Sequence, residues 1–200
     1  MKSISTVNLP VPVQYVLLAV ASILTGLLAG SVGYLIGQFF YVLFLYPFIL
    51  LAIGAILYLP SLWFLRTRNS LFNAFCGLLL GLMILFVFHY IGYSLFRTKN
   101  INLFEIQGIN QSAASQAVDA FLQKETGLGG FAGYLKYQNS LWNPNVYYFL
   151  QSGRVVHTFE IYLRGKRGWA YLAGETAVLL IGSALIGLFS RRFFPVSIRV

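Results

Sequence analysis

Acidic side chains are scarce in this chain: five in 200 residues, namely Glu105, Asp119, Glu125, Glu160 and Glu175. With Asp119 the single aspartate, no aspartyl dyad can form. One cysteine, Cys76, excludes a disulfide scaffold. Cys76, His89 and His157 lack metal-ligand spacing, and neither HExxH nor CxxC occurs. Charged residues make up 10%, whereas soluble domains carry about 25%. Hydrophobic residues reach 58% and mean hydropathy is +0.74. This balance excludes disorder, which needs low hydrophobicity and high charge. It describes an integral, multi-pass membrane protein and implies no cofactor.

The net charge of +9 resembles a nucleic-acid signal until its positions are read. Arg66 and Arg68, Arg97 and Lys99, Arg164, Lys166 and Arg167, and Arg191 and Arg192 all flank apolar runs. Charges there meet lipid headgroups and set sidedness, whereas a nucleic-acid face would gather them on one folded surface. Membrane lipid is the implied partner, and nucleic acid is not.

Residues 11–65 hold no charged side chain. A spanning helix takes ~20 apolar residues, so this stretch makes two spans. A turn near Gly37-Gln38 places them at about 13–36 and 41–65, with Pro47 bending the second and Pro60 and Trp63 at its interfacial end. A third span covers about 71–96, between Arg68 and Arg97, and a fourth about 169–189, between Arg167 and Arg191. Ala19-Val20-Ala21 resembles a signal-peptide cleavage site, but the apolar run before it is short and continues past it, so the first span is expected to stay uncleaved. Four spans place both termini on one side and residues 98–168 on the other. Long loops count for less in the positive-inside rule, which favours cytoplasmic termini in a cell or inner membrane.

In the first span Ala19, Ser22, Gly26, Gly30, Gly33 and Gly37 fall within a stripe of roughly 80° on a helix. Lipid offers no hydrophobic drive for helices to associate, so such a seam marks close backbone packing. Gly77 and Gly81 in the third span, with Asn73 one turn earlier, offer a shorter complement. Packing within the chain is the favoured use, ahead of a homo-oligomer.

His89 and Glu175 are the ionisable side chains inside the expected spans, and each is a functional candidate by default because charge in hydrocarbon is expensive. Both are expected roughly 10 Å inside the same membrane face. They are thus placed to meet, with Tyr93 one turn beyond His89 able to join them. The sharp reading is a proton- or cation-responsive pair, since imidazole titrates near neutrality. The bland one is a structural hydrogen bond between spans, or a Glu175 near the headgroups.

Residues 98–168 hold four of the five acids. Asn110-Gln111-Ser112 supplies cap chemistry for an amphipathic helix with Ala114, Ala117, Val118, Phe121 and Leu122 on one face and Gly127 as its stop. Gly127, Gly129, Gly130 and Gly133 mark a flexible or tightly turned connection. Residues 146–151 and 154–163 read as strands joined at Ser152-Gly153, and 101–106 as a further strand. The expected fold class is an all-α polytopic membrane protein of four transmembrane helices, with a small α+β extramembrane domain between the third and fourth. Its aromatics, Phe131, Tyr134, Tyr137, Trp142, Tyr147, Tyr148 and Phe149, read as core or interfacial belt, and His157 as structural.

The functional expectation is a non-enzymatic scaffold, assembly or accessory subunit with a membrane-protein partner. The alternative is a small transporter or channel subunit that uses His89 and Glu175. Ala29-Gly30-Ser31-Val32-Gly33 approaches G-x-S-x-G, but the first glycine is replaced and the motif needs a strand-to-helix turn. An intramembrane hydrolase built on Ser31 and His89 is therefore the weakest reading, and no catalytic, cofactor-binding or metal-binding residue is assigned.

Overall fold

In lipid the backbone has no partner but itself, so each apolar run must close into a helix. The structure, a computed structural model, describes residues 10–39, 45–65, 67, 69–140, 144–151, 154–162 and 165–193, with side chains described outside 140–164 and 191–193. Its elements are α1 (Val11–Phe39), α2 (Tyr46–Leu65), α3 (Ser70–Ile106), α4 (Gln111–Thr126), α5 (Gly130–Ser140), β1 (Pro144–Gln151), β2 (Arg154–Tyr162) and α6 (Lys166–Phe193). The helices α1, α2 and α3 and the stretch Lys166–Ser190 of α6 are long and apolar enough to cross a membrane. The chain is an integral membrane protein with four such helices.

Several boundaries differ from expectation. Helix α1 runs through Gly37 to Phe39, and residues 40–44 lie outside the described part. Pro47 sits in the first turn of α2, where its missing N–H needs no partner, so it does not bend the span; the proline inside the helix is Pro60. Helix α3 continues past Arg97 to Ile106, which places residues 101–106 in a helix and not a strand. A helix already nucleated extends at low cost, and this extension buries Ile101 against Ala114 and Val118 of α4, with Phe96 and Phe104 alongside. It stops at Gly108, whose φ of 83° suits glycine, while the Ile109 N–H returns to the Phe104 carbonyl at 3.1 Å.

The expected α+β domain is not supported. The fold is helical, and residues 98–140 add the end of α3, α4 and α5. Strands β1 and β2 pair antiparallel, with Tyr147 opposite Phe159 and an irregularity between Phe149 and Leu150. A two-stranded ribbon is not a sheet with a core of its own. Ser152-Gly153, Trp142 and the strand side chains, His157 among them, lie outside what is described.

The chain divides into two compact units. The first comprises α1 to Gly37, α2, α3 to Val87 and α6 from Thr176. Here the seam faces its neighbours: a Cβ at Gly26 would stand 2.6 Å from Met83 Cβ, and one at Gly30 2.9 Å from the Ile84 carbonyl oxygen. Gly33 packs on Leu50 of α2, and its carbonyl accepts from the Tyr46 hydroxyl. Gly26, Gly30 and Gly33 are buried with Ser22, while Ala19 and Gly37 are half-buried. Gly77 and Gly81 are not the complement of this seam. They face α6, where a Cβ on either would fall on the backbone of Ser183 or Leu179. Small residues thus serve three helix pairs, α1 with α3, α1 with α2 and α3 with α6, because α3 has neighbours on two faces and α1 meets both α2 and α3.

The second unit comprises α3 from Phe88, α4, α5, the β1–β2 ribbon and α6 up to Glu175. The Asn110 side chain accepts from the Ala113 N–H at 2.8 Å and caps α4, which ends at Gly127 with φ 77°. Asn110→Ala is expected to cost about 1 kcal/mol and to speed amide exchange in the first turn of α4. Unchanged exchange there would show that tertiary contacts alone hold the helix. The glycines after α4 make a tight turn: a Cβ at Gly133 would fall on the Leu128 carbonyl, so only glycine lets α5 start this close. Lys136 of α5 donates to the Thr126 carbonyl, placing a cation at the C-terminus of α4.

Candidate functional site

Ionisable groups inside apolar helices need partners, and the second unit supplies one for each member of the expected pair. His89 Nε2 of α3 lies 3.2 Å from Glu175 Oε2 of α6. The two side chains are 10% and 1% exposed. With an ionised carboxylate as acceptor, the imidazole must carry its proton on Nε2. The Phe88 ring meets the His89 ring edge-on, centroids 5.4 Å apart. Glu175 Oε1 is buried and has no hydrogen-bond partner among the described residues.

Tyr93 does not join the pair by any hydrogen bond among the described residues. Its ring belongs to an aromatic cluster that seats α5 on α3: Tyr93 lies 5.8 Å from Phe131 and 5.7 Å from Tyr134. Phe96 continues the cluster to Tyr137, which meets Phe121 of α4 edge-on. These rings fill space against one another in the manner of a core. Arg97 of α3 donates to Ser115 of α4 and stands 4.0 Å from Asp119, a half-exposed ion pair of small energetic weight.

Two polar groupings in the first unit were not singled out from the sequence. Thr67 donates to Asn73, whose amide reaches Ser190 at 3.3 Å, and Ser190 donates to the Gly187 carbonyl. Ser22 donates to the Leu18 carbonyl at 2.7 Å, and its oxygen lies 3.2 Å from the Tyr58 hydroxyl. An asparagine in an apolar run is a legible signal; Ser190 and Tyr58 are not, because serine and tyrosine are common in spans. Ser31 donates to the Leu27 carbonyl of its own helix at 2.9 Å.

Chemically, the His89–Glu175 pair can hold and release a proton and can fasten α3 to α6. Among the described residues no three or more His, Cys, Asp or Glu side chains stand together in a way that would hold a metal ion. No family model, curated protein or solved structure matches this chain.

Proposed function

We propose that this protein is a non-enzymatic accessory or assembly subunit of a membrane complex, multi-pass in a cell or inner membrane with cytoplasmic termini. The observation that carries this reading is exposed apolar side chains on the part of α3 past Arg97. Helix α3 has 37 residues and is therefore roughly 55 Å long, against ~30 Å of hydrocarbon. On its part past Arg97 and in the turn that follows, Leu103 is 50%, Ile106 83% and Ile109 37% exposed. If this end of α3 stands clear of the hydrocarbon, its grouped apolar side chains make a contact surface, and a membrane-protein partner would cover it.

The test is the native mass of the protein carried from its own membrane into lipid nanodiscs, beside Leu103→Ser/Ile106→Ser. A second polypeptide bound in fixed ratio, and lost by at least about tenfold in the variant, is the expected result. A lone chain sinks the reading. A second reading, a small transporter or channel subunit, is favoured by the 3.2 Å contact between His89 and Glu175. A bare homo-oligomer in the same measurement supports that reading instead, because four spans with so few polar residues enclose no pore alone.

A further inference from the structure

Helices α4 and α5 form a hairpin that returns along α3 to the stretch preceding Arg97. Helix α4 starts beside the far end of α3, with Ala114 and Val118 against Ile101, and passes Arg97 at Asp119. Helix α5 runs in the same direction as α3, since Phe131 meets Tyr90 and Tyr93 whereas Tyr137 meets Phe96. The turn between α4 and α5, residues 127–129, therefore stands level with Tyr90 and Tyr93. These precede Arg97 by seven and four residues, roughly 10 and 6 Å along the helix. Residues 88–96 hold no Asp, Glu, Lys or Arg and continue the apolar run of α3. The turn is thus brought beside apolar helix, short of the charges that flank it.

The chemistry of the turn suits a place poor in water. Leu128 is 46% exposed, between the exposed Gly127 and Gly129. Much of the polar backbone here is closed from within the hairpin. The Gly127 N–H donates to the Gln123 carbonyl at 2.8 Å, and the Leu128 N–H to Thr126 Oγ1 at 3.1 Å. The Gln123 amide donates to the Gly127 carbonyl at 3.0 Å, and the Lys136 ammonium to the Thr126 carbonyl. Water would serve such groups at an exposed turn, whereas lipid offers them no partner.

We propose that the α4–α5 turn is a membrane-inserting tip, with Leu128 among phospholipid acyl chains at the headgroup boundary. The exposed Lys124 and Glu125 in the last turn of α4 limit its depth, because their long side chains reach back to the headgroups. Acyl chain is the occupant on two grounds. The tip adjoins the stretch by which α3 enters the membrane, and one leucine between glycines falls far short of the ~800 Å² per side of a stable protein interface. The hairpin is therefore anchored in lipid at its tip. This goes beyond the partner reading: Leu103 and Ile106 lie past Arg97, at the other end of the hairpin, and the tip meets lipid whether or not a partner covers them.

The test uses the whole chain with Cys76→Ser, one copy per phosphatidylcholine nanodisc, and a nitroxide label on Leu128→Cys. Gln116→Cys, exposed nearer the start of α4, is the reference. Relaxation of each label by dissolved oxygen and by a water-soluble nickel chelate reads its depth. The Leu128 label is expected roughly 5–10 Å below the phosphates, with oxygen the stronger relaxant, while nickel dominates at Gln116. Nickel dominating at Leu128 puts the turn in water and overturns the proposal. A Leu128 label closed to both reagents overturns it too, because protein then covers the turn. Ala132→Cys, exposed in the first turn of α5, is read in the same way and decides the matter if Leu128→Cys does not fold. Because no partner is present in these discs, failure here leaves the partner reading to its own test.

Discussion

Gly77→Ala and Gly81→Ala should each destabilise the α3–α6 pair by about 2 kcal/mol or more, while Gly182→Ala costs less than about 1 kcal/mol. One methyl group is added in all three cases. At Gly77 and Gly81 the new Cβ falls on the backbone of Ser183 and Leu179, which can retreat only if the whole of α6 moves. At Gly182 it meets the end of the Leu51 side chain, which can rotate away. Association of helices in lipid depends on this close approach, since apolar burial gives no drive there. Moving α6 outward would also strain Asn73, whose backbone faces Gly187 and whose amide reaches Ser190. Reversible unfolding of the purified protein in bicelles reads all three variants. Equal costs at Gly77 and Gly182 would mean that α6 is loosely held and that the backbone contact does not limit the approach.

His89→Leu should destabilise the protein by about 3 kcal/mol, and His89→Leu/Glu175→Leu should recover most of that loss. Removing the imidazole leaves the buried Glu175 carboxyl group with no hydrogen-bond partner among the described residues. Removing both groups restores an apolar contact of similar volume between α3 and α6. The sign of the coupling is therefore the informative quantity: the double variant is more stable than His89→Leu alone. A double variant whose cost is the sum of the two single costs would show that His89 and Glu175 do not interact in the bilayer. The same unfolding assay reports it, and the outcome is independent of any partner.

How far the sequence reaches is visible element by element. The four long helices follow from apolar runs and their charged flanks, because hydropathy is a property of composition over ~20 residues and hardly depends on neighbours. The α4 ends were legible as well, since Asn110 and Gly127 act on their own backbone. The stretch 101–106 reads as a strand in the sequence but is helical, because Ile101, Leu103, Phe104 and Ile106 fit either a strand or a helix over so few residues. Burial of Ile101 and Phe104 against α4 is a tertiary fact that local alternation does not contain. The sequence puts Pro47 inside the second span, where it should bend it, because an apolar run does not show where the first turn begins.

The candidate site divides in the same way. Two ionisable residues in apolar runs, at matching depths on antiparallel helices, were enough to pair His89 with Glu175. Tyr93 has the turn-to-turn spacing from His89 that would let it join the pair, while its ring packs against Phe131 and Tyr134.

By itself the sequence determined that this is a membrane protein with four long apolar helices. It also determined where caps fall and which small residues and ionisable groups must be packed away. These follow from the cost of exposing polar backbone or charge to lipid, a cost each segment carries alone. Only the tertiary structure decided which helix each glycine meets, so that Gly26 and Gly30 face one side of α3 while Gly77 and Gly81 bring α6 to another. It alone showed that α3 runs on to carry α4 and α5, and that one oxygen of Glu175 has no donor among the described residues. Small residues and carboxylates carry no address in their chemistry. Their partners are set by how helices distant in the chain lie against one another, a many-body result of packing.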